Sequence, residues 1–296
     1  EREKDFLEIC EILKDKNSFV TQRLDFDALS ADYLSKVKAT TNSIDYGMIL
    51  VKFFAELKNG HTSIQFNRYT ANCFATIIEN RIFVESIRNQ SLNYENLTSK
   101  DEILAVNGIP VKDWIASELP YSEGSTSEYQ RLIASYRIFS SYTDTVRTFK
   151  IRNSEGERDV EVILYKDIQT DGDTQNVEGK MLNDSVAYLA IKSMNGKEIF
   201  SQFLQAYQSL KNSSYIIIDV RENGGGNSRT SEKITEYFIT QPQKACVSGW
   251  ELEPVADTFK GKVYLLTSTN TFSAAESFVI DLKESGNVTL IGEPTG

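Results

Sequence analysis

Histidine and cysteine are scarce in this 296-residue chain, which has one histidine, His61, and three cysteines, Cys10, Cys73 and Cys246. A single imidazole excludes metal sites that need several histidines, such as an HExxH motif or a three-histidine zinc site. The cysteines lie far apart in the sequence, so they form no CxxC motif for zinc, redox or cluster binding. We therefore expect neither a bound metal nor another cofactor.

Long apolar runs and surplus positive charge are absent as well. No apolar run approaches the roughly 18 residues of a membrane-spanning helix. The 32 lysines and arginines are outnumbered by 42 aspartates and glutamates, which gives a net charge of −10 and no basic stripe for phosphate groups. We expect no membrane span and no nucleic-acid partner. The composition, 40% hydrophobic and 25% charged, is that of an ordinary globular protein of about two domains.

The pattern of the sequence changes along the chain and divides it into four segments. These are a helical region at 1–69 that ends in a motif containing His61, a small β-rich module at 70–167, a polar linker at 168–179, and an α/β core at 180–296. In the core, strands and helices alternate, which predicts a parallel sheet with crossover helices. The core stops within a strand-to-loop segment, so we expect it to be truncated at its C-terminus.

Individual elements follow from the spacing of apolar residues. Helical spacing predicts a helix over 43–57, and the alternating residues 60–66 predict a strand. The continuous apolar run Tyr215–Val220 predicts a strand that is buried on both faces. A helix is predicted over 232–239, and another begins at Ser273, directly after a predicted strand.

Two loops at the carboxyl ends of predicted strands are candidate functional loops, since ligands of open α/β sheets bind at that edge. The first contains Gly224, Gly225 and Gly226, whose backbone N–H groups can face an anion, although a flexible strand-to-helix turn has the same sequence pattern. The second contains Ser273. Its hydroxyl either caps the following helix or acts as a nucleophile, with the N–H of Ala274 facing the oxyanion. The local sequence favours the cap.

His61 carries the one side chain of the sequence that is a natural base near neutral pH. It comes just after a predicted helix end and is flanked by Gly60 and Thr62. This position suits a side chain held on a turn, whereas a lone histidine is more often a packed or surface residue. The residues alone therefore leave its role open.

Four short segments follow one another in a recognisable order. They are the histidine motif Asn59-Gly-His-Thr62, the strand and glycine loop at 218–226, the serine segment Phe272-Ser-Ala-Ala-Glu276, and the segment Ile291-Gly-Glu-Pro-Thr295. Together they resemble the C-terminal processing and tricorn-core family of serine peptidases. The predicted strand pair around Asn107-Gly108 is similar to part of the PDZ-like domain that many members insert. The presence of His61 favours the tricorn-like branch.

The resemblance implies a fold and a mechanism. The fold is an α/β core of the Clp protease/crotonase type, preceded by the helical region and a PDZ-like module. Ser273 would be the nucleophile and His61 the general base. The oxyanion hole would combine the N–H of Ala274 with that of Gly225 or Gly226. The chain would then be a serine endopeptidase or carboxyl-terminal processing peptidase that acts on peptides or unfolded polypeptides.

The same resemblance leaves alternatives. The acidic residue that orients the histidine in the tricorn-like branch would lie beyond Gly296, so a catalytically silent peptide-binding protein on the same scaffold is the alternative function. A crotonase-type acyl-CoA enzyme ranks below both, because the sequence has no phosphate-binding loop or basic patch.

The resemblance also bears on neighbouring residues and on location. Glu276, Asp219 and Arg221 are expected to hold the conformation of their loops. The family favours an extracytoplasmic location (periplasmic, cell-surface or secreted) over the cytoplasm, and it allows a homo-oligomer.

Overall fold

A computed structural model describes residues 1–17, 21–64, 68–71, 73–87, 97–166 and 175–296 of the chain. The fold consists of two compact units, Glu1–Gly172 and Asp173–Gly296. Among the helices in the described ranges, none is long and apolar enough to cross a membrane.

In the described part of its first 60 residues, the first unit contains the helices α1 (Arg2–Lys16), α2 (Phe26–Ala39) and α3 (Ser43–Glu56). Their apolar faces meet around Phe53, which is fully buried and in ring contact with Phe6 and Tyr33 at centroid distances of 5.0 and 5.3 Å. Such ring contacts add about 0.5–1.5 kcal/mol each to the burial of the rings. The helix α3 confirms the helix predicted over 43–57 to within one residue.

The strand predicted over 60–66 is wrong in its first part, which forms a turn after α3. The backbone N–H of His61 donates to Oδ1 of Asn59 at 2.7 Å, and the N–H of Thr62 donates to the carbonyl of Asn59. Because these backbone groups bond locally, they do not pair with a neighbouring strand. Residues 65–66 lie outside the described residues.

The rest of the first unit is a β-rich module with two helices, α4 (Val111–Glu118) and α5 (Ser127–Tyr136). Its strands are β1 (Tyr69–Thr70), β2 (Cys73–Ile78), β3 (Arg81–Ile87), β4 (Glu102–Val106), β5 (Ile109–Pro110), β6 (Ser140–Ser141), β7 (Val146–Asn153) and β8 (Gly156–Ile163). The main sheet is antiparallel in the order β2-β3-β4-β7-β8, with β5 paired to β4, while β1 pairs with β6. The hairpin predicted around Asn107-Gly108 is confirmed, since both residues have the positive φ, 48° and 76°, that a tight β4–β5 turn requires.

The second unit is built on a five-stranded sheet. Its elements in chain order are β9 (Val177–Met181), β10 (Val186–Ile191), α6 (Ile199–Leu210), β11 (Tyr215–Asp219), α7 (Ser228–Thr235), β12 (Gln243–Lys244), β13 (Glu251–Leu252), β14 (Lys262–Thr267), α8 (Ala274–Glu284) and β15 (Val288–Gly292). The sheet order is β15-β14-β11-β10-β9, and only the pair of β9 and β10 is antiparallel among these described strands. The parallel pairing predicted for the core is therefore confirmed in four strands.

The linker predicted over 168–179 is wrong at its end. Residues 177–179 belong to β9, in which Val177 is buried and Gly179 allows α6 to pack closely against the strand. The other residues of β9 are exposed because the strand lies at the edge of the sheet, and this explains its polar sequence. Residues 168–174 lie outside the described residues.

The helix predicted over 232–239 is displaced in the structure. The helix α7 begins at Ser228, directly after the capping residue Asn227, and ends at Thr235. Phe238 and Ile239 follow in a turn and are fully buried there. The spacing of these apolar residues predicted a helix that extends to residue 239, but residues in a turn can also point into the core.

The two predicted functional loops leave the sheet side by side. The strands β11 and β14 are parallel neighbours, with Asp219 in register with Leu266 at their carboxyl ends. The glycine loop leads from β11 to α7, and the serine loop leads from β14 to α8. The sheet therefore brings together two segments that are about 50 residues apart in the sequence.

Candidate active site

Ser273 lies between the end of β14 and the first residue of α8. Its backbone has φ 57° and ψ −120°, a conformation that residues other than glycine avoid because the side chain crowds the backbone. Such a conformation costs about 1–3 kcal/mol and persists only where surrounding contacts enforce it. A strained serine at a strand-to-helix turn is an arrangement that presents a nucleophile at the positive end of a helix.

Glu276 holds the serine loop in this conformation. Its Oε2 accepts the backbone N–H of Ser273 at 2.7 Å, and its Oε1 accepts the hydroxyl of Thr295 at 3.0 Å. The carboxylate lies in the first turn of α8, where the helix dipole favours negative charge. Glu276 therefore acts structurally, as the sequence predicts, and also ties the serine loop to the segment that follows β15.

Gly225 is packed directly against the serine loop. A Cβ atom on this residue would lie 2.8 Å from Cβ of Ser273 and 2.9 Å from the backbone nitrogen of Ala274, and its φ of 92° also requires glycine. Gly226 has a φ of 137°, and a Cβ there would collide with the backbone of Met194 and Asn195. Glycine is thus required at both positions because the neighbouring backbone lies too close for a side chain. A turn that is only flexible would not need such close packing.

The backbone N–H groups around Ser273 differ in their hydrogen bonding. The N–H of Gly225 donates to Oδ1 of Asn223 at 2.9 Å. Within the residues that the structure describes, the N–H groups of Ala274 and Gly226 make no hydrogen bond. Unbonded N–H groups beside a helix start are suited to stabilise a negatively charged oxygen.

Asn223 connects three parts of the site, and sequence reasoning missed it. Its side chain is fully buried, and besides accepting from Gly225 it donates through Nδ2 to the carbonyl of Ile191 at 2.9 Å. Its backbone carbonyl accepts the N–H of Phe272, the residue before Ser273, at 3.0 Å. In the sequence, an asparagine before three glycines indicates only a turn.

The glycine loop also continues the hydrogen bonding of the sheet beyond β10. The N–H of Met194 donates to the carbonyl of Gly225 at 2.8 Å, and the N–H of Asn227 donates to the carbonyl of Met194 at 3.1 Å. This is the pattern of two parallel strands. The loop is therefore fixed on one side by the sheet and on the other by the serine loop.

Asp219 and Arg221 form an ion pair at the base of the glycine loop, in agreement with their predicted loop-fixing role. Nε and Nη2 of Arg221 donate to the two carboxylate oxygens of Asp219 at 2.9 and 2.6 Å, and the hydroxyl of Tyr188 donates to Oδ2 at 2.7 Å. Burial acts to raise the pKa of Asp219, but the hydrogen bonds from Arg221 and Tyr188 outweigh it and hold that pKa below its ordinary value. Burial and the bond to Asp219 raise the pKa of Tyr188 to about 12.

His61 belongs to the first unit, whereas Ser273, Ala274, Gly225 and Gly226 lie together in the second. His61 is exposed on the turn after α3, where the side chain of Asn59 binds its backbone N–H. The next residue, Thr62, is buried, and its Oγ1 accepts a hydrogen bond from Nδ2 of Asn17 at 2.8 Å. The histidine motif is therefore anchored to the end of α1.

Comparison with known proteins agrees with the two-unit organisation. The model described as peptidase family S41 matches residues 185–296, and the model described as the N-terminal domain of Bacteroidetes S41 peptidases matches residues 77–164. The carboxy-terminal processing protease CtpB of Bacillus subtilis strain 168 is 23% identical over 221 residues, which are 72% of this chain and 42% of CtpB. The chain thus spans less than half the length of this curated relative.

Two solved structures show the same fold at low identity. Mature CPAF is 14% identical, with a TM-score of 0.77 over 99% of this chain and 83% of CPAF. The photosystem II D1 C-terminal processing protease is 15% identical, with a TM-score of 0.55 over 100% of this chain and 82% of that protease. These structures share the mixed sheets and helices of both units. The two family models, which match the second unit and most of the β-rich module, show that the chain carries domains of peptidase family S41, a family of serine-type hydrolases.

Proposed function

We propose that this chain carries the catalytic site of a serine endopeptidase or carboxyl-terminal processing peptidase that cleaves peptides or unfolded polypeptides. The observation that carries the proposal is the strained backbone of Ser273 at the start of α8, with Gly225 packed against it. Oγ of Ser273 attacks the peptide carbonyl and forms an acyl-enzyme, while His61 takes the hydroxyl proton and gives it to the leaving amine. Water, deprotonated by His61, then attacks the acyl carbon and restores Ser273.

The oxyanion hole in this mechanism combines two backbone N–H groups. That of Ala274 is supported as the first donor by its unbonded state and by its position at the positive end of α8. The N–H of Gly226 fits as the second donor for the same reason of being unbonded. Gly225 can serve instead only if its N–H is shared with, or released from, Oδ1 of Asn223.

We also propose the finer architecture, a core of the Clp protease/crotonase type and a PDZ-like module at 70–167 that binds a polypeptide tail. In support, β2 lies at the end of the described strand order and α5 packs beside it, with the rings of Phe74 and Tyr136 at a centroid distance of 6.1 Å. A peptide can add to such an edge as an extra strand.

Peptide binding tests recognition of a polypeptide tail. The Ser273→Ala chain should bind a peptide with a free C-terminal carboxylate more tightly than the same peptide with a C-terminal amide. Equal binding of the two would contradict tail recognition.

Labelling with a fluorophosphonate probe tests the nucleophile. The probe should modify Ser273, as located by peptide mapping, and Ser273→Ala should lose both the label and peptide hydrolysis, with a loss of about 10⁴-fold or more in turnover. A matched control is Ser285→Ala, because Ser285 lies at the other end of α8 and its hydroxyl only bonds the carbonyl of Leu282. Label that persists in Ser273→Ala would contradict the assignment.

The base is tested by His61→Gln, which should slow hydrolysis by about 10²–10⁴-fold while leaving the fold intact. Because His61 is exposed, its replacement should not change the denaturation midpoint. An unchanged rate would remove His61 from the mechanism. Absence of label and hydrolysis, together with retained peptide binding, would favour the silent peptide-binding alternative.

A location outside the cytoplasm (periplasmic, cell-surface or secreted) is likewise a proposal that rests on the family resemblance. Fractionation of the native cells and immunoblotting of each fraction test it. Recovery of the protein in the cytoplasmic fraction alone would contradict it.

A further inference from the structure

The turn between β12 and β13 presents two large apolar side chains to solvent. Val247 is 68% exposed and Trp250 is 58% exposed, more than any other large hydrophobic residue in the described part of the chain. Single exposed apolar residues are common on protein surfaces. Here two of them occur on one short turn, and one is a tryptophan, a residue type that is enriched at binding surfaces.

The exposure does not come from a loose loop. The N–H of Ala245 donates to the carbonyl of Trp250 at 2.8 Å, and the N–H of Gly249 donates to the carbonyl of Ala245 at 2.9 Å. The N–H of Cys246 donates at 2.8 Å to Oδ1 of Asp281, a buried residue of α8. The turn is therefore held in one shape on the helix that begins beside Ser273, so a ligand would meet a pre-ordered surface.

Trp250 contacts the helix that follows the glycine loop. The guanidinium carbon of Arg229 lies 4.8 Å from the centroid of the Trp250 ring. Arg229 is the second residue of α7, and its backbone N–H donates to the side chain of Asn227, which directly follows Gly226. Gly225 in turn lies against Ser273, so Trp250 is connected to the nucleophile through Arg229, Asn227 and the glycine loop.

The chemistry of this turn favours an apolar occupant. The positive charge of Arg229 is compensated by Oε2 of the buried residue Glu232 at 3.0 Å, so the guanidinium stacked on Trp250 is not an uncompensated site for an acidic group. The net charge of −10 also disfavours acidic polypeptides. The large apolar groups that this turn exposes are the indole ring of Trp250 and the isopropyl group of Val247.

We propose that Trp250 and Val247 form a specificity subsite that binds an apolar side chain of the substrate polypeptide, a few residues from the scissile bond. The proposal rests on the peptidase function proposed above and names which substrates that site prefers. An aromatic or branched aliphatic side chain would bury its surface against the indole ring.

The subsite is tested by the cleavage pattern of reduced, carboxamidomethylated ribonuclease A, a permanently unfolded polypeptide that carries no tryptophan and gains no negative charge from the modification. Fragments mapped by mass spectrometry should show apolar residues enriched at one position a few residues from the cut. From the preferred sequence, a peptide pair is made with leucine or alanine at that position. Trp250→Ala should lower kcat/KM about tenfold for the leucine peptide and leave the alanine peptide almost unchanged.

Tyr215→Ala is the matched control, because Tyr215 is also an exposed aromatic residue, at 43%, but lies at the opposite end of β11 from the glycine loop. It should leave both peptides unchanged. An unaltered cleavage pattern in Trp250→Ala, or an equal loss on both peptides, would overturn the subsite while leaving the peptidase function in place.

A binding measurement separates failure of the subsite from failure of the peptidase proposal. Trp114 is buried and ribonuclease A has no tryptophan, so a shift of tryptophan emission when the carboxamidomethylated polypeptide is added to the Ser273→Ala chain is assigned to Trp250. We expect a shift to shorter wavelength that is lost in Ser273→Ala/Trp250→Ala. If fluorophosphonate labelling fails but this shift occurs, the peptidase function is wrong and the binding surface stands. If the emission does not change, the subsite is wrong whatever the labelling shows.

Discussion

Replacing Asn223 by alanine should loosen the glycine loop from the sheet. The side chain of Asn223 accepts the N–H of Gly225 and donates to the carbonyl of Ile191. All three residues are buried, so water cannot replace either partner. The substitution therefore leaves one buried donor and one buried acceptor unpaired, next to the backbone contact between Gly225 and Ser273.

The expected magnitude follows from these two groups. A buried polar group that loses its partner costs about 1–3 kcal/mol, so Asn223→Ala should lower the free energy of unfolding by about 2–6 kcal/mol. Asn183→Ala provides the matched control. Oδ1 of Asn183 accepts the backbone N–H groups of Ser185 and Val186, but Asn183 is exposed, so water can take its place. Its loss should be about 1 kcal/mol or less.

Urea denaturation followed by circular dichroism measures the free energy of unfolding, and the rate of fluorophosphonate labelling measures the state of the site. Asn223→Ala should lower the denaturation midpoint and slow labelling under conditions in which the variant is still folded. Asn183→Ala should leave the labelling rate unchanged. Equal losses of stability in the two variants, or an unchanged midpoint for Asn223→Ala, would refute the conclusion that Asn223 holds the glycine loop against the sheet.

Three further predictions concern the same loops. Gly225→Ala should cost about 2 kcal/mol or more of unfolding free energy and abolish labelling, because its Cβ would collide with the serine loop; Gly224→Ala, with no atom within 4 Å of the added Cβ, should be tolerated in both assays. Ser273→Gly should have a free energy of unfolding about 1 kcal/mol higher than that of Ser273→Ala, and so a higher urea midpoint, because glycine relieves the strain at φ 57°. A glycine variant that is less stable than the alanine variant would argue against strain. The folded-state pKa of Asp219 is depressed, so its ion pair with Arg221 stabilises the fold above the ordinary carboxyl range and is lost as the pH falls through the folded-state pKa. The stability difference between wild type and Asp219→Asn should therefore narrow from pH 7 to below about pH 4, and a constant difference in urea titrations would contradict this assignment.

The sequence predicts the core of the second unit well because buried parallel strands carry a strong local signal. The strand β11 contains three consecutive isoleucines, and the helix after Ser273 has both a clear start and a clear period. Once those strands are parallel, the loops that follow them must lie at one edge of the sheet. A common sheet edge for Ser273 and Gly225 could thus be predicted, whereas the adjacency of β11 and β14 is a finding of the structure.

The contacts that shape the site could not be predicted in this way. The bond from Asn223 to Ile191 and the bond from Thr295 to Glu276 join residues 32 and 19 positions apart, and such pairs leave no periodic trace in one sequence. The direction of each glycine N–H depends on φ and ψ, so the sequence could not distinguish Gly225, whose N–H is bonded, from Gly226. At His61 the alternating residues predicted a strand, but the backbone N–H bonds to the side chain of Asn59 and the segment forms a turn.

A loop with three consecutive glycines would ordinarily sample many conformations, since glycine has the greatest backbone freedom. Here the bonds from Met194 to Gly225 and from Asn227 to Met194 order the loop together with the sheet. Its conformational entropy, about 1–2 kcal/mol per residue, is therefore lost when the protein folds. A polypeptide that arrives at Ser273 meets a loop that is already ordered, so its binding does not have to supply that entropy. The amide hydrogens of Met194 and Asn227 should accordingly exchange with solvent as slowly as those of the adjoining strands.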